Sequence, residues 1–456
     1  MTTLTTALLA LSLAQAPQTL TLDDALKRAD EVNLDLKAAQ ARVGVAKANV
    51  WKAWSGHLLQ VTAGGSYTYN DRAAKLPLTL AYGIVDTGTL QPIPGGAPAG
   101  STATTYQAVP SRVIEATIQA KEQWAAQVQA TLPIIAPQAW FGIQSAYRAE
   151  DAVTYGVEAA RREVLYGVAQ AYYGVASLKR LVEISTQLQE IAGRQARDAD
   201  VRYRAGTIAK VAKLRADIDL TRAEQDTLKA RNSYQSARLA LAVLLDREPD
   251  FEVVEPAEPP LPADTSGLEQ SALDARPDLK AARATEGIYA SQRRASAMRY
   301  LPTVAGFGRA TYSDPAGLTG QNEAWAVGVL FSWTILDGGL REAELRETSA
   351  RIAEAEASRR ALENRARAEV RTALLDLESA RANAKKAKEQ RDLAAENQRL
   401  VDVSFKAGAA TAVEQADATS VLRNAEIQFA TETLQAQLAA VRVLKSAGSY
   451  DPVKKG

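Results

Sequence analysis

The residues best placed to do chemistry are Glu414 and Asp417, three apart just after an Ala-Gly turn, so that they share one helix face. Carboxylates held close together raise each other's pKa and attract cations. The same two acids also suit an ordinary helix N-terminus, where they meet the positive end of the dipole. Little else points to reaction chemistry. The chain has one histidine, His57, and no cysteine, which removes thiolate metal sites, Cys nucleophiles and disulfides together. It has no GxGxxG or P-loop, and its other acids are spread along helix surfaces. His57 reads as a boundary residue between a helix and a strand. With Met1 and Met298 as the sole methionines, no soft-metal relay is visible. We therefore expect no enzyme, no cofactor and no metal site.

The elements that position the two acids are long helices, and they come twice. Asn33-Leu34-Asp35-Leu36-Lys37-Ala38-Ala39 returns as Arg276-Pro277-Asp278-Leu279-Lys280-Ala281-Ala282, an offset of 243 (276 − 33). Tyr203-Arg204-Ala205-Gly206 returns as Phe405-Lys406-Ala407-Gly408, an offset of 202 (408 − 206). Such duplication implies a pseudo-symmetric unit. Each half runs helix, short strands, very long helix, turn, long helix. We divide the chain into a first repeat at 17–247, a Pro-rich linker at 248–266, a second repeat at 267–448 and a tail at 449–456. The linker, carrying Pro249, Pro256, Pro259, Pro260 and Pro262, cannot be a continuous helix.

Composition agrees with long packed helices. Of 456 residues, 46% are hydrophobic but just 6% aromatic, so Ala and Leu make up much of the apolar content. A net charge of +1 gives no case for a nucleic-acid partner. The apolar run at 1–16 ends in small residues and reads as an export signal cut after Ala14 or Ala16, although Met1–Thr6 lacks Lys and Arg. No other stretch approaches the ~18 apolar residues of a membrane-spanning helix.

Periodicity predicts helices over 22–54, 143–204, 210–245, 268–299, 341–406 and 411–445. The helix ending at Lys406 would be ~95 Å long at 1.5 Å per residue. Leu345, Ile352, Ala366, Ala373, Ala380, Ala387, Ala394 and Val401 keep one seven-residue register that only Arg359 interrupts. That is a heptad seam whose small residues allow close helix approach. Charges such as Arg359-Arg360 are expected on a solvated outer face.

Four segments read as strands: 60–70, 124–134, 303–312 and 324–335. Three alternate cleanly, and in the third, 303–312, Phe307 falls out of pattern. The apolar face carries Tyr67, Tyr69, Trp124, Val128, Trp325, Val327, Val329, Phe331 and Trp333. Segments of ~10–12 residues with one apolar and one small or polar face fit tilted membrane strands with lipid outside and water inside. Four strands cannot close a barrel, and an open edge cannot sit in lipid. The chain must then oligomerise. A trimer supplies 12 strands around a lumen and a dimer a tight 8; the helices beyond favour the wider tube. The segment Asp71–Gln123 reads as a long outward loop.

The opening "TLDDALKRADEVNLDLKAAQA", its second copy "ARPDLKAARA", the Leu301-Pro302 start of a strand, the Asp337-Gly338-Gly339-Leu340-Arg341 passage into a helix, and the paired "YRAGT" and "FKAGA" turns resemble the outer membrane efflux protein family, typified by TolC. The resemblance runs from about Thr19 to Gly448. It implies a mainly α chain with membrane β structure: a homotrimer forming a 12-stranded barrel, four strands per chain, continuous with a coiled-coil tunnel in the periplasm. It further implies an outer membrane location and, as partners, outer membrane lipid, a periplasmic adaptor and an inner-membrane pump of an efflux or type I secretion system. The two turns would dock the adaptor through Tyr203, Arg204, Gly206, Thr207, Phe405, Lys406, Gly408 and Thr411. Glu414 and Asp417, six and nine past Gly408, would give six carboxylates around one constriction. Ala212 stands where an acid is frequent after the first turn, and Lys210 or Lys213 is expected to pair with Glu414 instead. The alternatives are a periplasmic adaptor, which needs one hairpin and compact β domains, and a coiled-coil rod, against which the alternating strand at 324–335 argues.

Overall fold

The computed structural model describes residues 18–80, 84–92, 102–108, 112–257, 259–261, 265–316 and 320–453; the expected export signal lies outside them. The chain divides into a helical unit (Met1–Val50, Gln144–Gln292, Arg346–Gly456) and a strand unit (Trp51–Ile143, Arg293–Leu345).

In chain order the first repeat contains β1 (Gln18–Leu20), α1 (Leu22–Val32), α2 (Leu34–Ser55), β2 (Gln60–Tyr69), β3 (Ala74–Leu80), β4 (Ile84–Pro92), β5 (Thr102–Ala108), β6 (Arg112–Gln119), β7 (Glu122–Ile135), α3 (Pro137–Arg204) and α4 (Lys210–Leu244). After β8 (Phe251–Val253) the second repeat follows with α5 (Leu268–Ala275), α6 (Pro277–Met298), β9 (Thr303–Asp314), β10 (Glu323–Ser332), α7 (Leu340–Lys406) and α8 (Ala412–Ser446). No described helix is long and apolar enough to cross a membrane.

Two helices expected to be continuous are broken at equivalent places. Asn33 ends α1, and its Oδ1 accepts from the amides of Asp35 (3.0 Å) and Leu36 (3.2 Å), capping α2. In the second repeat Arg276 is extended (ψ 125°) because it precedes Pro277, which opens α6. One break uses a side-chain cap and the other a proline, so the duplicated motif keeps the kink by different means.

The heptad seam of α7 is real. Ala366, Ala373, Ala387 and Ala394 are at most 5% exposed, and Val370, Leu377 and Gln398 form the companion row. Arg359, expected on a solvated face, is tied to Glu286 of α6 and to Glu363, both at 2.8 Å. That pairing explains why a charge is tolerated in the seam.

The core of the helical unit gathers Leu165, Val168, Tyr172 and Val175 of α3, Leu241 and Leu245 at the end of α4, and Phe251 of β8. The linker is therefore not loose at its start. Strand β8 pairs in parallel with β1, Phe251 is fully buried, and the Tyr172 hydroxyl bonds the carbonyls of Leu20 and Val254, each at 2.7 Å. The tail is likewise anchored: Tyr450 is buried, and Arg161 bonds Asp451 (3.1 Å), the Val453 carbonyl (2.9 Å) and Asp30.

The strand unit is a four-stranded antiparallel sheet in the order β10-β9-β7-β2, with β2 and β10 as edges. Its register puts Tyr67 opposite Trp124, Val128 opposite Ala310, and Ala310 opposite Trp325, so most of the large apolar side chains of the four strands share one face, Phe307 and Leu330 excepted. Tyr67, Trp124, Val128, Trp325, Val327, Val329 and Phe331 on that face are all exposed. Phe307 lies on the other face opposite Gly328, where its ring fills the space a Cβ would take (2.9 Å). Its break of pattern is a cross-strand aromatic covering a glycine. Strand β10 stops at Ser332 rather than at 335; Trp333, just beyond, donates its indole N–H to the Tyr300 carbonyl (3.1 Å). His57 sits between α2 and β2 with its ring edge-on to Trp140, 4.9 Å between centroids.

The segment Asp71–Gln123 is not a plain loop. Its strands β3 and β6 pair with each other, and β4 pairs with β5, so the β2–β7 hairpin is prolonged by two further antiparallel ladders.

Candidate functional site

Both predicted turns close in the same way. Gly206 (φ 73°) and Gly408 (φ 80°) take the left-handed conformation that glycine adopts without steric cost. In the first turn the Gly206 amide bonds the Tyr203 carbonyl (2.9 Å) and the Thr207 amide bonds that of Arg202 (2.9 Å). In the second, the Gly408 amide bonds Phe405 (3.1 Å) and the Ala409 amide bonds Ser404 (2.8 Å). This is the Schellman pattern, which satisfies carbonyls left open at a helix end. Thr207 adds its hydroxyl to the Arg202 carbonyl at 2.8 Å.

What surrounds the turns differs. After the first, Lys213 Nζ reaches back across the turn to Asp200 at 2.8 Å, and Arg204 meets the same carboxylate at 2.7 Å. The Lys213 hydrogen bond is the main reason that the Asp200 carboxyl sits below the usual range, and Asp200 in turn raises Lys213. The expected pairing of Lys213 with Glu414 is therefore not made within the chain: Asp200 occupies Lys213. Asp200 escaped sequence reading because its main partner lies across the turn, although its i,i+4 spacing to Arg204 was visible.

After the second turn, Thr411 caps α8. Its hydroxyl accepts from the Glu414 amide (3.2 Å), while Glu414 Oε2 accepts from the Thr411 amide (2.6 Å) and hydroxyl (2.9 Å). This capping box satisfies two end amides at once. The Thr411 amide, then its hydroxyl, lowers the Glu414 pKa, the opposite of what crowding by other acids would do. Asp417, one turn on, is exposed and makes no hydrogen bond or ion pair among the described residues.

The two hairpins meet near their turns. Arg202 lies over the Phe405 ring, 4.8 Å from its centroid, and Gln195 donates to Thr419 (3.3 Å). Asp402 accepts from Gln415 (2.8 Å) and Gln398 (3.2 Å), tying α7 to α8. Between the hairpins runs a groove of about 720 Å³ bordered by Arg202, Ile208, Val211, Phe405 and Val413. Tyr203, Arg204, Thr207 and Lys406 are exposed around it. Among the described residues no cluster of His, Asp and Glu could hold a metal.

The sequence profile of the outer membrane efflux protein family matches residues 25–247 and 268–449. No curated protein matches the chain in sequence. Solved structures share its fold. The outer membrane protein VceC of Vibrio cholerae is 18% identical with a TM-score of 0.71, covering 94% of this chain and 96% of its own. The CmeC outer membrane channel of Campylobacter jejuni is 16% identical with a TM-score of 0.74 (95% and 87% covered). The open state of the MtrE outer membrane channel of Neisseria gonorrhoeae is 17% identical with a TM-score of 0.71 (94% and 88% covered).

Proposed function

The chain belongs to the outer membrane efflux protein family, and from that membership we propose that it is the outer membrane channel of a tripartite export system. In this reading it conducts cargo passively from an inner-membrane pump and a periplasmic adaptor to the exterior. The observation that carries the reading is the four-stranded sheet with one exposed apolar face and two unpaired edges. In hydrocarbon an unpaired strand edge leaves backbone groups unsatisfied. Edge pairing of β2 on one chain with β10 on the next resolves this, and three chains then give twelve strands. The aromatic and branched side chains of the apolar face meet lipid, and the small and polar ones line the lumen. No observation favours the adaptor or the rod.

The turn residues Tyr203, Arg204, Thr207, Phe405, Lys406 and Thr411 then form the periplasmic tip and the adaptor contacts, with the groove between the hairpins beside them. Asp417 and Glu414 from three chains make an acidic constriction. Glu414 can serve both roles, because its capping bonds use Oε2 and leave Oε1 free. Rings of carboxylates favour cation passage.

The test is photo-crosslinking from Thr207 or Ala409 in cells. Capture of the adaptor of a proton-driven pump makes the cargo small molecules; capture of one from an ATP-driven system makes it protein. No adaptor captured from an intact outer membrane trimer would overturn the docking assignment. A folded protein that is monomeric without detergent would overturn the channel itself.

A further inference from the structure

On the polar face of the four-stranded sheet one position stands apart. Arg309 is the seventh of the twelve residues of β9 (309 − 303 + 1) and lies opposite Gln129 of β7 and Ala326 of β10. Its side chain is exposed and makes no hydrogen bond or ion pair among the described residues. No other paired position on this face carries a charge. The adjoining rows are neutral: Gln129 stands opposite Thr62, and Gln127 opposite Thr311.

The repeat shows that the strand does not need this charge. The offset of 243 that carries the start of α2 onto the start of α6 (34 + 243 = 277) also carries the start of β2 onto that of β9 (60 + 243 = 303). In this register Arg309 corresponds to Ser66, which lies on the polar face of β2 opposite Ala125. The same strand, used once already, is built with a small hydroxyl at this place.

We propose that Arg309 sets the charge selectivity of the barrel, where three copies form a cationic ring that favours anions; this rests on the channel reading above. An arginine at mid-strand on the lipid face is strongly destabilising. Arg309 alternates with Ala310, which lies opposite Val128 and Trp325, so it faces the lumen instead. Twelve strands about 4.8 Å apart and tilted about 40° enclose a lumen of roughly 12 Å radius at the backbone. Guanidiniums reaching inward from that wall leave little of the bore beyond the ~8 Å screening length of physiological salt. The low-dielectric wall strengthens their field further. Rings of arginine favour anions as rings of carboxylate favour cations. The barrel thus opposes the acidic ring of Glu414 and Asp417, and cargo bearing carboxylate or phosphate groups passes it more readily than cargo of net positive charge.

Reversal potentials of the purified protein in planar bilayers, under a potassium chloride gradient, test this. Arg309→Gln should raise the potassium-to-chloride permeability ratio at least about twofold, Arg309→Glu should raise it further, and Arg309→Lys should keep the wild-type value. The direction is opposite to that expected for neutralising Asp417. Because the chain has no cysteine, Arg309→Cys offers a single thiol. A water-soluble methanethiosulfonate carrying a sulfonate should raise the ratio of that variant, and one carrying a quaternary ammonium should lower it. A conducting wild type whose ratio is the same in Arg309→Gln overturns the proposal and leaves the channel standing. A thiol that neither reagent reaches from either side would put the side chain outside the lumen and overturn it too. A purified protein that does not conduct overturns the channel reading, and the proposal with it.

Discussion

Arg202 and Phe405 join the two hairpins at their ends: the guanidinium of one long helix lies 4.8 Å from the ring centroid of the other. Phe405 is the repeat counterpart of Tyr203 (405 − 202), so the contact sets one turn against its own duplicate. At a partly exposed site such as this one, a cation–π contact contributes about 0.5–1 kcal/mol. Phe405→Ala should therefore raise the open probability of single channels in planar bilayers by about two- to fivefold, and Phe405→Tyr should not. Equal gating of wild type and Phe405→Ala would remove the contact from tip closure.

Asp200 and Lys213 give the first turn a defined pH window. A carboxyl depressed on folding stabilises above its ordinary value and loses that contribution as pH falls through the depressed value. Asp200 therefore contributes fully above 3.8. Lys213 is raised, so its share is complete below 10.5 and lost as pH rises through its folded value. Corrected for intrinsic rate, hydrogen exchange of the Arg202–Thr207 amides should be flat between those limits and rise outside them. Asp200→Asn should speed exchange within the window, and exchange that matched wild type would show the pair to be idle.

Gly328 has no room for a larger residue while Phe307 stays in place, since an added Cβ would lie 2.9 Å from the ring. Overpacking of this kind costs about 1–3 kcal/mol. Gly328→Val should lower the temperature at which the oligomer dissociates on heating, and adding Phe307→Ala should recover part of the loss. Strictly additive losses would mean that the ring and the glycine do not interact.

Asp417 and Glu414 should separate in their effects. Asp417→Asn removes a carboxylate that has no partner among the described residues and should shift the cation-to-anion permeability ratio toward one without altering helix stability. Glu414→Gln keeps a capping acceptor, so its effect should also be on selectivity. Glu414→Ala removes both and should loosen the first turn of α8, read as faster amide exchange after Thr411. Unchanged selectivity in the doubly neutralised channel would exclude the ring.

Much of this architecture was legible because two periods dominate it. The α7 seam needed only the seven-residue spacing of Ala366, Ala373, Ala387 and Ala394, and the sheet faces needed only alternation. The turns were marked by glycines that had to adopt positive φ. Features that depend on a distant partner stayed hidden. Arg359 looked solvated because Glu286 lies 73 residues away. The ladders β3–β6 and β4–β5 lacked an apolar alternation strong enough to outweigh their prolines and glycines. Phe251 sat in a Pro-rich stretch that reads as linker, yet it is among the most buried side chains of the unit. Glu414 was found by position, but its capping role rests on Thr411, which had been read as a contact.

The pairing of β1 with β8 fixes an order of events. Gln18 pairs with Phe251, 233 residues later (251 − 18). During synthesis and export the amino-terminal strand therefore has no edge to rest on until more than half the chain has emerged. Tyr172, which bonds the backbone beside both strands, cannot complete its two bonds any earlier. Pairings so far apart in sequence form slowly and leave apolar segments uncovered meanwhile. The first repeat therefore cannot fold to completion before the linker that follows it has emerged.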